Sequence, residues 1–177
     1  MISVRWRIRH SLPKTKAVSI RTASYRSTKA PKIIINHVND GVKIAEKAML
    51  PKAIIDFIRT HHGRGKAKYF YNSFKNQYPD HEIDEEAFTY PGPNPFSKET
   101  AVLMMADSVE AASRSLKEHT EENIRALVDK IIDGQIADGL MRNAPLTFKD
   151  VETVKNVFVE KLKIMYHTRI SYPDLKK

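Results

Sequence analysis

The residues of this 177-residue chain best equipped for chemistry are His61 and His62, which end the apolar run Ile54-Ile55-Asp56-Phe57-Ile58-Arg59-Thr60 and are followed at once by Gly63. Two further groups belong beside them. His37 has apolar neighbours one turn away, Ile33, Ile34 and Ile44, and a buried imidazole needs partners for both ring nitrogens. Asp107 shares a helical face with Leu103, Met104 and Ala111, and a carboxylate in such surroundings must be paired, hydrogen-bonded or bound to a metal. Each also has a plain structural explanation. Helix-end electrostatics alone favour His61 and His62, a satisfied core position would account for His37, and an ion pair to Arg114 or a lysine would account for Asp107. Neighbouring helical residues point about 100° apart, so on a helix the two histidines suit two partners better than one ion. Glu110 is explained by an i,i+4 pair with Arg114.

Histidines and an aspartate without a single cysteine suit a hard or borderline divalent ion such as Mn, Fe or Zn. The missing cysteine also excludes disulfides and thiolate metal sites. An ion of this kind activates water for phosphoester hydrolysis, and two ions about 3.5 to 4 Å apart clamp both the attacking and the leaving oxygen. Arg64, Lys66 and Lys68, just beyond the paired histidines, are candidates for contacts to substrate phosphates, with a solvated basic turn as the equal alternative.

The elements that must position these groups are helical. Ile33, Ile34, His37, Val38, Gly41 and Ile44 recur at spacings of three and four, which predicts a first helix over 32–49 whose buried face includes His37. Pro51 suits the first turn of a second helix that ends at Gly63. A third, over 67–78, carries Tyr69, Phe70, Tyr71, Phe74 and Tyr78, which read as core rather than as a base-stacking platform. Three prolines in Tyr90-Pro91-Gly92-Pro93-Asn94-Pro95 make a stiff loop before a helix over 98–116 with the apolar centre Val102-Leu103-Met104-Met105-Ala106. Thr120 caps a fifth helix with the stripe Ile124, Leu127, Val128, Ile131. Thr147 with Asp150 resembles a capping box for a sixth, with the stripe Val151, Val154, Phe158, Leu162, Met165. No alternating apolar pattern of useful length occurs, and the fold class is all-α.

The net charge of +9 is unevenly spread. Residues 1–30 hold eight basic side chains (Arg5, Arg7, Arg9, Lys14, Lys16, Arg21, Arg26, Lys29) and no acid, which leaves 22 basic against 21 acidic residues in the remainder. The reading is therefore a basic, poorly ordered arm over 1–30 and one helical domain over 31–177, nearly neutral, with nucleic-acid binding a third reading that would need the arm. No stretch reaches the roughly 18 to 20 apolar residues that span a bilayer. Met1-Ile2-Ser3-Val4-Arg5-Trp6-Arg7 lacks the apolar segment of a secretory signal. A cytoplasmic location follows as the expectation.

Several blocks carry a resemblance. Ile33-Ile34-Ile35-Asn36-His37-Val38-Asn39-Asp40-Gly41, His61-His62-Gly63, Tyr69-Phe70-Tyr71, the Tyr90–Pro95 loop and Lys98 through Ala112 are similar to the cytoplasmic HD domain of the bacterial seven-transmembrane HD-domain phosphohydrolases. Within that family the likeness is to the cyclic-di-AMP phosphodiesterases. Pro145-Leu146-Thr147 and Tyr166-His167-Thr168-Arg169-Ile170-Ser171-Tyr172-Pro173 fit the same group, so the resemblance covers residues 31–173. It implies an HD-type helical bundle and a dinuclear iron or manganese centre with His37, His61, His62 and Asp107 among its ligands. It further implies hydrolysis of cyclic-di-AMP to linear pApA by a metal-activated water, within a parent protein embedded in a membrane. Tyr90 joins Arg64, Lys66 and Lys68 as a substrate-contact candidate. Two departures stand out. In the family a first metal-binding histidine and then a His-Asp doublet, whose aspartate bridges the metals, precede the His37 block. Here the only earlier histidine is His10, followed by Ser11. Arg64 stands where the family often has a small hydroxyl residue. The expectation is a carboxyl-terminal part of a larger enzyme, with the amino-terminal helices of the domain missing. Its rival is a catalytically incomplete module that binds a nucleotide or partner.

Overall fold

Apolar residues at helical spacing, separated by Gly, Pro and capping side chains, give six α-helices among the described residues: α1 Ala23–Lys47, α2 Lys52–Thr60, α3 Lys68–Gln77, α4 Lys98–Ser113, α5 Glu121–Ala137 and α6 Phe148–Tyr166. The structure is a computed structural model that describes residues 23–80 and 82–166. A single 3-10 turn, Glu85–Phe88, and one isolated antiparallel bridge, Lys66 to Thr89, complete the regular structure among the described residues.

Helix α4 is the centre of the bundle. Its start is fixed by a reciprocal cap, in which the Ser97 side chain accepts from the Thr100 backbone N–H and the Thr100 hydroxyl accepts from the Ser97 N–H; this cap escaped the sequence reading. Ala101, Met104, Met105 and Val109 of α4 pack with Ile124, Val128 and Ile132 of α5 and Val151, Val159 and Leu162 of α6. Each such side chain contributes about 1.5 to 3 kcal/mol when fully buried, so this three-helix core holds most of the apolar stabilisation. The two expected caps are present. The Thr120 hydroxyl accepts from the Asn123 N–H, Thr147 N–H donates to Asp150 and the Asp150 N–H donates to the Thr147 hydroxyl.

The buried line of α6 differs from the predicted stripe. Val151, Lys155, Val159 and Leu162 face inward while Met165 is exposed. Lys155 is tolerated there, with its side chain only 8% exposed, because its ammonium meets Asp133 at 2.7 Å, Asp129 at 3.3 Å and Glu152 at 3.7 Å. Burial works against its charge, but the two aspartates outweigh burial and raise its pKa.

The first helix also departs from expectation. It begins at Ala23 rather than 32, so residues 23–30 of the expected arm belong to α1, while 1–22 lie outside the described residues, as does the 167–173 part of the carboxyl-terminal block. Helix α1 packs on α2, where Gly41 admits Ile58 to a contact that a Cβ would narrow to 3.0 Å. A small second cluster, Val38, Ala67 and Tyr90, ties α1 to the start of α3 and to the proline-rich loop.

Candidate metal centre

Two elements bring His37, His61 and His62 together. His37 projects from the middle of α1, and the other two lie in the turn that follows α2. That helix stops at Thr60, earlier than predicted, with Pro51 as its N-cap and His61 as its C-cap. Because the two histidines have left the helix, the 100° separation assumed for them does not apply. Their ring centroids lie 4.1 Å apart and those of His37 lie 5.2 and 5.0 Å from them. One nitrogen from each of the three falls within 4.8 Å of the others, the only such group of three among the described residues. His37 is exposed rather than buried: its ring meets those of His61, His62 and Tyr90, while Ile33, Ile34 and Ile44 on the same helix are exposed.

Hydrogen bonds define which nitrogens are free. His37 Nδ1 faces the Ile34 carbonyl and His61 Nδ1 faces the Ile58 carbonyl, the latter at 2.7 Å. A carbonyl only accepts, so both Nδ1 atoms carry a proton, and each ring in its uncharged form presents a bare Nε2. Those two Nε2 atoms face each other at 3.1 Å. Two opposed lone pairs at that distance need a cation, a proton or a bound ion, between them.

His62 is half-buried and stacks on Tyr90, with centroids 4.2 Å apart and planes inclined by 27°. Its Nδ1 lies 3.6 Å from Asp107 Oδ2. Burial, followed by the other two imidazoles, pushes its pKa down to about 3, and burial likewise lowers His61 against the opposing pull of the Ile58 carbonyl and Asp107. Near neutral pH these are uncharged nitrogen donors. Asp107 is half-buried, and desolvation raises its pKa although His61, His37 and Arg114 favour its charged form. The expected pair of Glu110 with Arg114 is present at 2.7 Å, so Arg114 does not serve as the direct partner of Asp107. An apolar groove of about 410 Å³, lined by Ile54, Phe57, Ile58 and Leu103, runs up to His61 and Asp107.

The candidate substrate contacts divide. Tyr90 is buried against His62 and forms part of the wall of the site. Arg64, Lys66 and Lys68 come together, but in a separate recess of about 390 Å³ shared with Tyr71 and Asp138. Each is paired with a carboxylate: Arg64 with Glu86 at 3.0 Å, Lys66 with Glu85 at 2.6 Å, Lys68 with Asp138 at 2.8 Å. Of the aromatic run, Tyr69 is exposed and Phe70, Tyr71 and Phe74 are half-buried.

A helical bundle that gathers histidines from a helix and a His-His-Gly turn, with an aspartate on a third element, defines a class. The signature described as HD domain matches residues 10–112, more than half of the chain, and the chain belongs to the HD-domain family. The match starts inside the basic segment that the sequence reading set apart. Two proteins named cyclic-di-AMP phosphodiesterase PgpH are similar to it. That of Bacillus subtilis is 41% identical over 145 residues, covering 82% of this chain and 20% of that protein, and that of Listeria monocytogenes is 38% identical over 144 residues, covering 81% and 20%. The chain thus spans about a fifth of these curated relatives' length. The crystal structure of the L. monocytogenes PgpH HD domain in complex with cyclic-di-AMP superposes with a TM-score of 0.75 at 35% identity, covering 82% of this chain and 68% of that one. The all-α HD-type fold is therefore established, and about a third of that solved domain has no counterpart here. Among the described residues no helix is long and apolar enough to cross a membrane.

Proposed function

We propose that the chain is a metal-dependent phosphohydrolase domain that holds a divalent ion, Mn or Fe, on His37, His61 and His62 with Asp107 beside them, and that it opens cyclic-di-AMP to linear pApA. The observation that carries the ion is the pair of bare Nε2 atoms facing at 3.1 Å while both Nδ1 atoms are bound to carbonyls. Rings locked in this way through their outer nitrogens are the usual preparation for metal binding. The substrate is supported by the names and bound ligand of the similar proteins. A membrane-embedded parent protein, with this domain on its cytoplasmic side, is part of the same proposal and rests on the family resemblance.

When bound, the ion supplies Lewis-acid activation of a water and neutralises phosphate oxygens. The chain's own residues do the rest. The Ile34 and Ile58 carbonyls hold two imidazoles in one tautomer, and Tyr90 holds the His62 ring from its flat side. Asp107 places negative charge next to His62, on the open side of the site. Arg64, Lys66 and Lys68 reach a phosphate only by giving up Glu86, Glu85 and Asp138. Exposed pairs of this kind are worth about 0 to 1 kcal/mol, so the exchange is cheap.

The deciding experiment incubates the purified chain with manganese and cyclic-di-AMP and follows pApA by chromatography, with metal content measured alongside. Stoichiometric metal and turnover that disappears in Asp107→Ala support the enzyme. One observation favours a second reading: among the described residues no fourth His, Asp or Glu has a ligand atom within 4.8 Å of all three histidines, and Asp107 approaches His62 alone, at 3.6 Å, which is fewer donors than the two ions the family resemblance implies would need. Cyclic-di-AMP bound in calorimetry without pApA would identify a nucleotide-binding module instead.

A further inference from the structure

The turn that carries His61 and His62 is held from outside by the proline-rich loop, and the contact centres on Asn94. The Asn94 side-chain oxygen accepts from the Arg64 backbone N–H at 2.8 Å, directly after the His61-His62-Gly63 triplet. Gly63 sits at φ +52°, and a Cβ there would stand 2.8 Å from Asn94 Oδ1 and 3.4 Å from the Asn94 backbone. The reverse contact is built the same way, since a Cβ on Gly92, at φ +75°, would stand 2.8 Å from Arg64 Cγ. Each loop thus uses a glycine in the left-handed region to admit a side chain of the other. Below this contact Tyr90 N–H donates to the Gly65 carbonyl at 2.9 Å and Ala67 N–H to the Phe88 carbonyl at 2.8 Å, and the Tyr90 ring lies on His62.

The bond from Asn94 acts on the turn and not on the rings. Within the turn, Gly63 N–H donates to Thr60 and Gly65 N–H to His62, at 2.9 and 3.0 Å, which leaves the Arg64 N–H as the donor that looks outward to the loop. Pinning it fixes where α2 ends and therefore where the two imidazoles point. We propose that Asn94 is a positioning residue for the histidine pair, holding His61 and His62 at the spacing needed to share an ion with His37. The metal half of this statement rests on the function proposed above; the positioning half does not.

The test uses the full chain at pH 7.5 in three forms: wild type, Asn94→Leu, which removes the acceptor at similar volume, and Asn94→Asp, which keeps it. Long-range imidazole 1H–15N spectra are recorded without metal, followed by manganese affinity from EPR titration. In Asn94→Leu the ring signals of His61 and His62 should move, while those of His119, stacked on Tyr166, stay in place. Manganese affinity should fall about tenfold, the lower range for loss of an outer-shell partner. Asn94→Asp should restore both. Ring signals in Asn94→Leu that coincide with wild type, or an aspartate variant that behaves like the leucine, would overturn the assignment. If Asn94→Leu does not fold, Asn94→Ser, too short to reach the Arg64 N–H, is judged by the same spectra. A wild-type chain that binds no manganese defeats the metal reading alone, because the metal-free spectra still decide the role of Asn94.

Discussion

The α4–α6 core and the α1–α2 pair treat their apolar residues in opposite ways. In the first, Met105, Ile124, Val128, Ile132 and Val159 are wholly enclosed. In the second, Ile33 is 72% exposed, Ile44 61% and Ile54 43%, and the groove beside His61 is walled by side chains that an ordinary core would cover. Helix α4 belongs to both regions, with Met104 and Met105 turned into the core while Leu103 and Asp107 face the groove. The difference separates two jobs. Stability is concentrated where contacts are dense, and the histidines sit on the part of the fold with the least apolar closure, where rearrangement costs least.

That contrast is easiest to break at its strong end. Ile132→Ala, with no exposure in the wild type, should cost about 3 kcal/mol and lower the melting temperature by roughly 10 °C in a calorimetric scan. A much smaller loss would mean that the core is not where stability resides. His61→Ala is the counterpart on the other side. It should weaken manganese binding about a hundredfold while the metal-free melting temperature moves by no more than a degree or two. A large fall in that temperature would show that the site supports the fold.

Acid should act on the histidine side first. The pKa of His62 is about 3 when folded and about 6.5 when unfolded, so between those values the unfolded state binds the extra proton and stability rises with pH. From pH 7.5 to 5.5 the metal-free protein should lose about 1 kcal/mol through this one ring. In His62→Gln the acid-induced loss should shrink by that amount when urea midpoints are compared, leaving the part due to His61, which burial also lowers. Asp107, whose pKa is raised by burial, works in the opposite sense. The smallest effect is expected at the groove wall. Leu103→Ser should change stability by less than about 0.5 kcal/mol, while binding of a hydrophobic dye falls. A loss of several kcal/mol would mean that the groove is closed in solution.

Local signals were the legible ones. The caps at Thr120 and Thr147, the Glu110–Arg114 pair and most of the α5 stripe depend on residues within one or two turns, and they stand as read. The residues of the site were recognisable by type, yet their arrangement was not. His61 and His62 converge in a turn that follows the end of α2 at Thr60 and contains the left-handed Gly63, and that turn is bonded to a loop thirty residues away through Asn94. The apolar neighbours of His37 suggested burial. Spacing along one helix cannot say how far another element covers its face, and here the turn after α2 and Tyr90 meet the His37 ring while Ile33 and Ile44 stay exposed. For Arg64, Lys66 and Lys68 the sequence left phosphate contact and a solvated turn equal, and it could not show their carboxylate partners, which lie up to seventy residues distant.

The enclosed ammonium of Lys155 offers a way to watch the two regions separately. An amine-reactive reagent meets Lys52 freely, since its side chain is 85% exposed on α2, whereas Lys155 is shielded between α5 and α6 and kept protonated by its aspartates. Its acylation rate therefore counts openings of the core, so a mass spectrum taken over time reports, lysine by lysine, whether the α4–α6 core or the histidine-bearing face yields first.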